Sequence, residues 1–122
     1  QAEIGSASGM AAAAICSVRG GSKEQMGHAC AMALKNLMGL VCDPVAGLVE
    51  VPCVKRNVGG AVNALAAADM ALAGIVSHIP VDQVIDAMGE VGMKMDVSLR
   101  ETSMGGVATS PKGLEIAERL GM

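Results

Sequence analysis

No Phe, Tyr or Trp occurs in the 122 residues, so a core has to be assembled from small and flexible aliphatic side chains. Twenty alanines, sixteen glycines and ten methionines are available for it, and residues this small let backbones approach closely. Hydrophobic residues make up 52 percent of the chain, which excludes an intrinsically disordered protein. The length fits one domain or a piece of one. With few large anchors for the core, a stabilising partner surface is expected.

Charge narrows the function classes. Nine basic residues against twelve acidic ones leave a net charge of -3, which gives no electrostatic footprint for a nucleic-acid backbone. An aromatic stacking platform is also missing. The longest apolar stretches, residues 10–18 and 58–68, are interrupted by Cys16 and Asn63 and fall short of a bilayer-spanning run. Neither nucleic acid nor membrane is an expected partner. The four cysteines carry no mark of secretion, so free thiols and a cytoplasmic location are expected. A chain opening on Gln1 without initiator methionine or leader pattern reads as an internal segment.

Periodicity and punctuation give an all-α reading with about five helices and a cysteine-bearing loop. Residues 7 to about 19 are rich in helix formers and stop at Gly20-Gly21. Ser22 with Gln25 forms a capping box for a second helix to about Met38. Residues 40–51 lose the helical rhythm at Cys42-Asp43-Pro44 and Ala46-Gly47. Pro52 opens a third helix to about Ala73, whose Gly59-Gly60 lets a neighbour pack at short range. Pro80 starts a fourth, fading by Met95, and Ser110-Pro111 starts a short amphipathic fifth.

Chemistry concentrates around the irregular stretch. Cys42 and Cys53 bracket it, eleven residues apart, with Cys53 in the opening turn of the third helix. Two buried thiols beside a loop is the alternative reading. Arg56 and Asn57 follow closely enough to meet a carboxylate and orient a polar group. The string Gly5-Ser6-Ala7-Ser8-Gly9 resembles an anion-accepting nest ahead of the first helix. His78, in the loop before Pro80, is a possible proton-transfer residue. Cys16 and Cys30 read as core, and His28 as a solvent-facing or interface side chain.

Taken together, Glu3-Ile4-Gly5-Ser6-Ala7, Cys42-Asp43-Pro44-Val45, Gly47-Leu48-Val49, Val51-Pro52-Cys53, Arg56-Asn57, Asp69-Met70-Ala71, Arg100-Glu101-Thr102 and Gly105-Gly106 resemble the alpha chain of iron-sulfur-dependent L-serine dehydratase. The resemblance runs through essentially all 122 residues, matching the C-terminal, cluster-binding part of that chain. It implies a single helical iron-sulfur domain over residues 1–122, a fragment of a longer chain, in which Cys42 and Cys53 are two of three cysteine ligands to a [4Fe-4S] cluster. The third ligand would directly precede Gln1. Single-chain members carry a further tail cysteine, so a chain ending at Met122 matches the two-chain type, with a separate beta chain.

The implied reaction is elimination of ammonia from L-serine to give pyruvate without pyridoxal phosphate. An open iron would polarise the substrate hydroxyl while a base removes the α-proton, and the aminoacrylate product would tautomerise and hydrolyse. Ser6, Ser8, Arg56 and Asn57 are assigned to the substrate carboxylate. The base is expected outside this segment, with His78 as the one local candidate. L-serine, the remainder of the alpha chain and the beta chain are the expected partners, in an oligomer. Two other readings stay open: a cluster-dependent lyase of different substrate, such as a cysteine desulfidase, and a noncatalytic helical interaction domain.

Overall fold

Small side chains decide how the helices of this protein meet. In the computed structural model, which describes all 122 residues, α1 runs over Ala2–Val18, α2 over Lys23–Asn36, α3 over Cys53–Leu72, α4 over Val81–Lys94 and α5 over Pro111–Arg119. Short 3-10 turns at Val45–Gly47, Val97–Leu99 and Gly106–Thr109 lie in the connections, and no sheet forms. The all-α, five-helix expectation is met.

The first three helices pack on one another around Ala12 and Cys16 of α1, Ala29, Met32 and Ala33 of α2, and Ala64, Ala67, Ala68 and Ala71 of α3. Seven of those nine are alanine, so the helix backbones come close together. Gly60 marks a close approach of α1 and α3: a Cβ there would stand 2.9 Å from Ile4 Cγ1. A smaller cluster of Ala31, Leu34 and Val84 seats α4 on α2. The short α5 packs on the 3-10 turns at Val45–Gly47 and Gly106–Thr109.

Capping fixes several boundaries. Ser22 and Gln25 form the reciprocal capping box expected for α2, and Ser110 Oγ accepts from Gly113 N at the start of α5. Pro52 and Pro80 stand as caps just outside α3 and α4 rather than as their first residues. The larger departure is in α1, which begins at Ala2 and takes residues 5–9 into its interior. Gly and Ser are poor helix formers, but here packing overrides propensity, since Gly5, Ser8 and Gly9 are all buried.

The connection between α3 and α4 is pinned onto α2. Ser77 N donates to His28 Nδ1 at 3.3 Å, and Lys35 Nζ donates to Ser77 Oγ at 2.9 Å. His28 is therefore half-buried and bonded within the chain. Cys16 is buried as expected, and Cys30 is half-buried beside Gly9. No helix is long and apolar enough to cross a membrane.

Candidate functional site at a two-cysteine cavity

After α2 ends at Asn36, the chain cannot resume a helix through Cys42-Asp43-Pro44, because the proline disfavours helical geometry at Asp43. Cys42 takes an extended conformation instead and pairs with the segment after α4. Its N–H donates to Leu99 O at 2.9 Å, and its carbonyl accepts from Glu101 N at 2.8 Å. Cys53 is the first residue of α3, with Arg56 and Asn57 in the turn that follows.

These elements converge. Cys42, Cys53, Arg56 and Asn57 line one cavity of about 440 Å³. Gln1, Glu3 and Ile4 of the α1 end close one side, Met88, Gly92 and Met93 of α4 another, and Leu99, Arg100 and Glu101 a third. Gln1 ties the walls together: its Nε2 donates to Met88 O at 2.7 Å, its Oε1 accepts from Gly39 N at 2.7 Å, and its backbone nitrogen donates to Leu40 O at 2.8 Å.

The cavity wall carries charges of both signs, Glu3 and Glu101 against Arg56 and Arg100. Burial pushes the Cys42 thiol above its ordinary value, and the neighbouring charges of Glu101 and Cys53 push it the same way. A thiolate at Cys42 therefore calls for compensating positive charge, which a bound metal supplies. Two sulfur donors in one cavity match a soft, thiolate-preferring metal group. No group of three or more His, Cys, Asp or Glu side chains gathers as a metal site in this chain.

Ser6, Ser8 and His78 do not line this cavity, although Ser8 and Asn57 border a second, smaller one. Residues 5–9 lie inside α1, where Gly5 N already donates to Gln1 O at 2.9 Å, so the expected nest does not form. Ser8 Oγ donates to Gly60 O at 2.7 Å and accepts from Asn63 Nδ2 at 2.9 Å, which assigns it to helix packing. His78 is exposed and precedes α4, at the opposite end of that helix from Met88, Gly92 and Met93. That separation is about 10 Å or more along the helix axis.

Sequence reasoning missed Asp43 as a working residue. Its carboxylate is buried and paired with Arg56, which also donates to Val41 O at 3.0 Å. A carboxylate before a proline in an apolar stretch, with an arginine thirteen residues on, was the available signal. Glu3 and Glu101, noted in the sequence only within the family-like strings, are two further carboxylates on the cavity wall.

A family model described as "Serine dehydratase alpha chain" matches residues 1–108. The chain belongs to the serine dehydratase alpha-chain family. It is 63% identical over 120 residues to a probable L-serine dehydratase alpha chain of Bacillus subtilis, covering 98% of this chain and 40% of that protein. It is 54% identical over 116 residues to the L-serine dehydratase alpha chain of Peptoniphilus asaccharolyticus, covering 95% of this chain and 40% of the relative. Against L-serine dehydratase 1 of Escherichia coli the identity is 45%, over 88% of this chain and 24% of the relative. This serine dehydratase alpha-chain segment thus spans less than half the length of each of these three relatives, and its cavity is lined by residues from 1 to 101 of the 122.

Proposed function

We propose that this chain is the cluster-binding part of an iron-sulfur-dependent L-serine dehydratase, which with the rest of its alpha chain and a beta chain converts L-serine to pyruvate and ammonia. The observation that carries the reading is that Cys42 and Cys53, from separate elements, line one cavity. They would be two ligands of a [4Fe-4S] cluster. The remaining ligand would come from outside this segment, with Gln1 on the wall of the same cavity. When bound, such a cluster supplies an open iron able to act as a Lewis acid on the substrate hydroxyl.

The remaining work falls to side chains. Arg56 has one guanidinium nitrogen committed to Asp43 and Val41 O, which fixes the plane of the group while it borders the cavity. In that orientation it binds the substrate carboxylate, assisted by Asn57, whose Nδ2 is anchored on Cys53 O at 3.0 Å. Met88, Met93, Met95 and Leu99 give the cavity an apolar wall that excludes water and strengthens those polar contacts. His78 does not border the cavity and is not the group that accepts the α-proton in this reading; Glu3 and Glu101 are the carboxylates on its wall.

Exposed faces support the partners. Met10 and Val18 of α1 and Val58, Val62 and Leu65 of α3 stand in solvent. No charged residue occurs at positions 4–18 or 57–68. An apolar surface of this kind is covered in an assembly, here by the rest of the alpha chain and the beta chain, in a cytoplasmic oligomer.

The test is turnover by the intact enzyme after anaerobic reconstitution. Pyruvate forms from L-serine, and Cys42→Ser abolishes it. Sulfide release from L-cysteine in preference to serine turnover would make the protein a desulfidase. Absence of both iron uptake and turnover in the complete assembly would leave an interaction domain.

A further inference from the structure

Asp43 is the one charged side chain that the fold buries, at 1% exposure. It directly follows Cys42, and both of its oxygens are engaged: Oδ1 accepts from Arg56 Nη1 and Oδ2 from Val107 N at 2.7 Å. The same Arg56 nitrogen donates to Val41 O at 3.0 Å. Val41 and Asp43 flank Cys42, and Arg56 lies three residues after Cys53 in the first turn of α3. One guanidinium therefore clamps both neighbours of Cys42 to the helix that carries Cys53. Asp43 itself does not line the cavity.

The opposite side of the carboxylate is equally closed. Gly106 has a φ of +62°, and a Cβ there would fall 2.1 Å from Asp43 Oδ2. Ser103 Oγ donates to Pro44 O at 2.6 Å and accepts from Gly47 N at 3.1 Å, fastening the same two loops at a second point. Burying a carboxylate is costly unless it is paired and fully hydrogen-bonded. A pair that only held two surface loops together would not need that placement beside a cysteine.

We propose that Asp43 is a positioning residue which, through Arg56, holds Cys42 in register with Cys53 so that the two thiols bind a metal group as a preformed pair. The inference rests on the proposed metal-binding role of those cysteines and adds the residue that aligns them. Groups that orient metal ligands from behind typically change affinity by about 10- to 100-fold when replaced.

The experiment uses the full-length alpha chain, cluster-free, titrated with Cd²⁺ alone and followed by thiolate-to-metal charge-transfer absorbance, with Cys42→Ser as the floor. Asp43→Asn keeps the side-chain shape but leaves one acceptor for two donors. The account expects Cd²⁺ affinity to fall by about tenfold or more with far-UV helicity unchanged. Arg56→Lys keeps the charge but loses the planar fork, so its affinity falls in the same direction, and it carries the test should Asp43→Asn not fold. Wild-type Cd²⁺ affinity in the folded Asp43→Asn chain, or in Arg56→Lys where Asp43→Asn does not fold, overturns the inference. A wild-type chain that binds Cd²⁺ through its thiols yet takes up no iron and sulfide contradicts the cluster reading instead. Absence of any thiolate band in the wild-type titration contradicts both.

Discussion

Ser8 and Gly60 join α1 to α3 through a hydrogen bond of 2.7 Å from the serine hydroxyl to the glycine carbonyl, where a Cβ on Gly60 would crowd Ile4 of α1. Asn63 Nδ2 donates to the same hydroxyl at 2.9 Å, so this short polar chain lies inside the helix interface. Ser8→Ala leaves a buried carbonyl and one amide proton short of a partner, a loss of about 1–3 kcal/mol. The expected outcome is a lower melting temperature with KM for serine unchanged. A raised KM at unchanged stability would return Ser8 to the substrate site.

Gly106→Ala probes the other end of the molecule. The added methyl meets Asp43 Oδ2 in a backbone conformation that L-residues rarely adopt. To escape it, the loop must withdraw Val107 N from the carboxylate. Losing a hydrogen bond to a buried charged group costs about 1.5–3 kcal/mol, so chemical denaturation should show a lower midpoint. An unchanged midpoint would mean that the clasp around Asp43 is loose.

The helices were largely legible because their signals are local. Ser22 with Gln25, Ser110 with Pro111, and the loss of rhythm at Cys42-Asp43-Pro44 all act within a turn of the boundary they set. Residues 5–9 misled for the converse reason: Gly and Ser there are selected by the close packing of α3 against α1, a contact 52 residues away between Ser8 and Gly60. At the site, spacing alone left Cys42, Cys53, Arg56 and Asn57 ambiguous, and it was the family resemblance that pointed to the cavity these four residues line. The role of Asp43 was not legible, since it depends on a pairing of the loop after α2 with the segments after α4 that no local pattern announces.

Burial pushes the Cys30 thiol above its ordinary value. The folded state therefore holds that proton more tightly than the unfolded chain does. Its contribution to stability is fully present below the unfolded thiol value of about 8.5 and is lost as pH rises through the folded value. Thermal unfolding followed from pH 7 upward should show stability falling in that alkaline window, with a shallower fall in Cys30→Ala. Identical slopes would show that Cys30 titrates alike in both states.

His78 is exposed and borders no part of the two-cysteine cavity. His78→Ala should shift stability by no more than about 0.5 kcal/mol and leave kcat/KM for serine at the wild-type value across the pH range. A loss of kcat with an altered pH profile would identify it as the proton acceptor after all.

The central claim is that Cys42 and Cys53 hold an iron-sulfur cluster in the cavity they share. Iron and acid-labile sulfide per chain, measured after anaerobic reconstitution of the full-length alpha chain, test it most directly. The account predicts about four of each in the wild type and near zero in Cys42→Ser and Cys53→Ser. Wild-type values near zero under conditions that load a known cluster protein, or full occupancy in either serine variant, would contradict it.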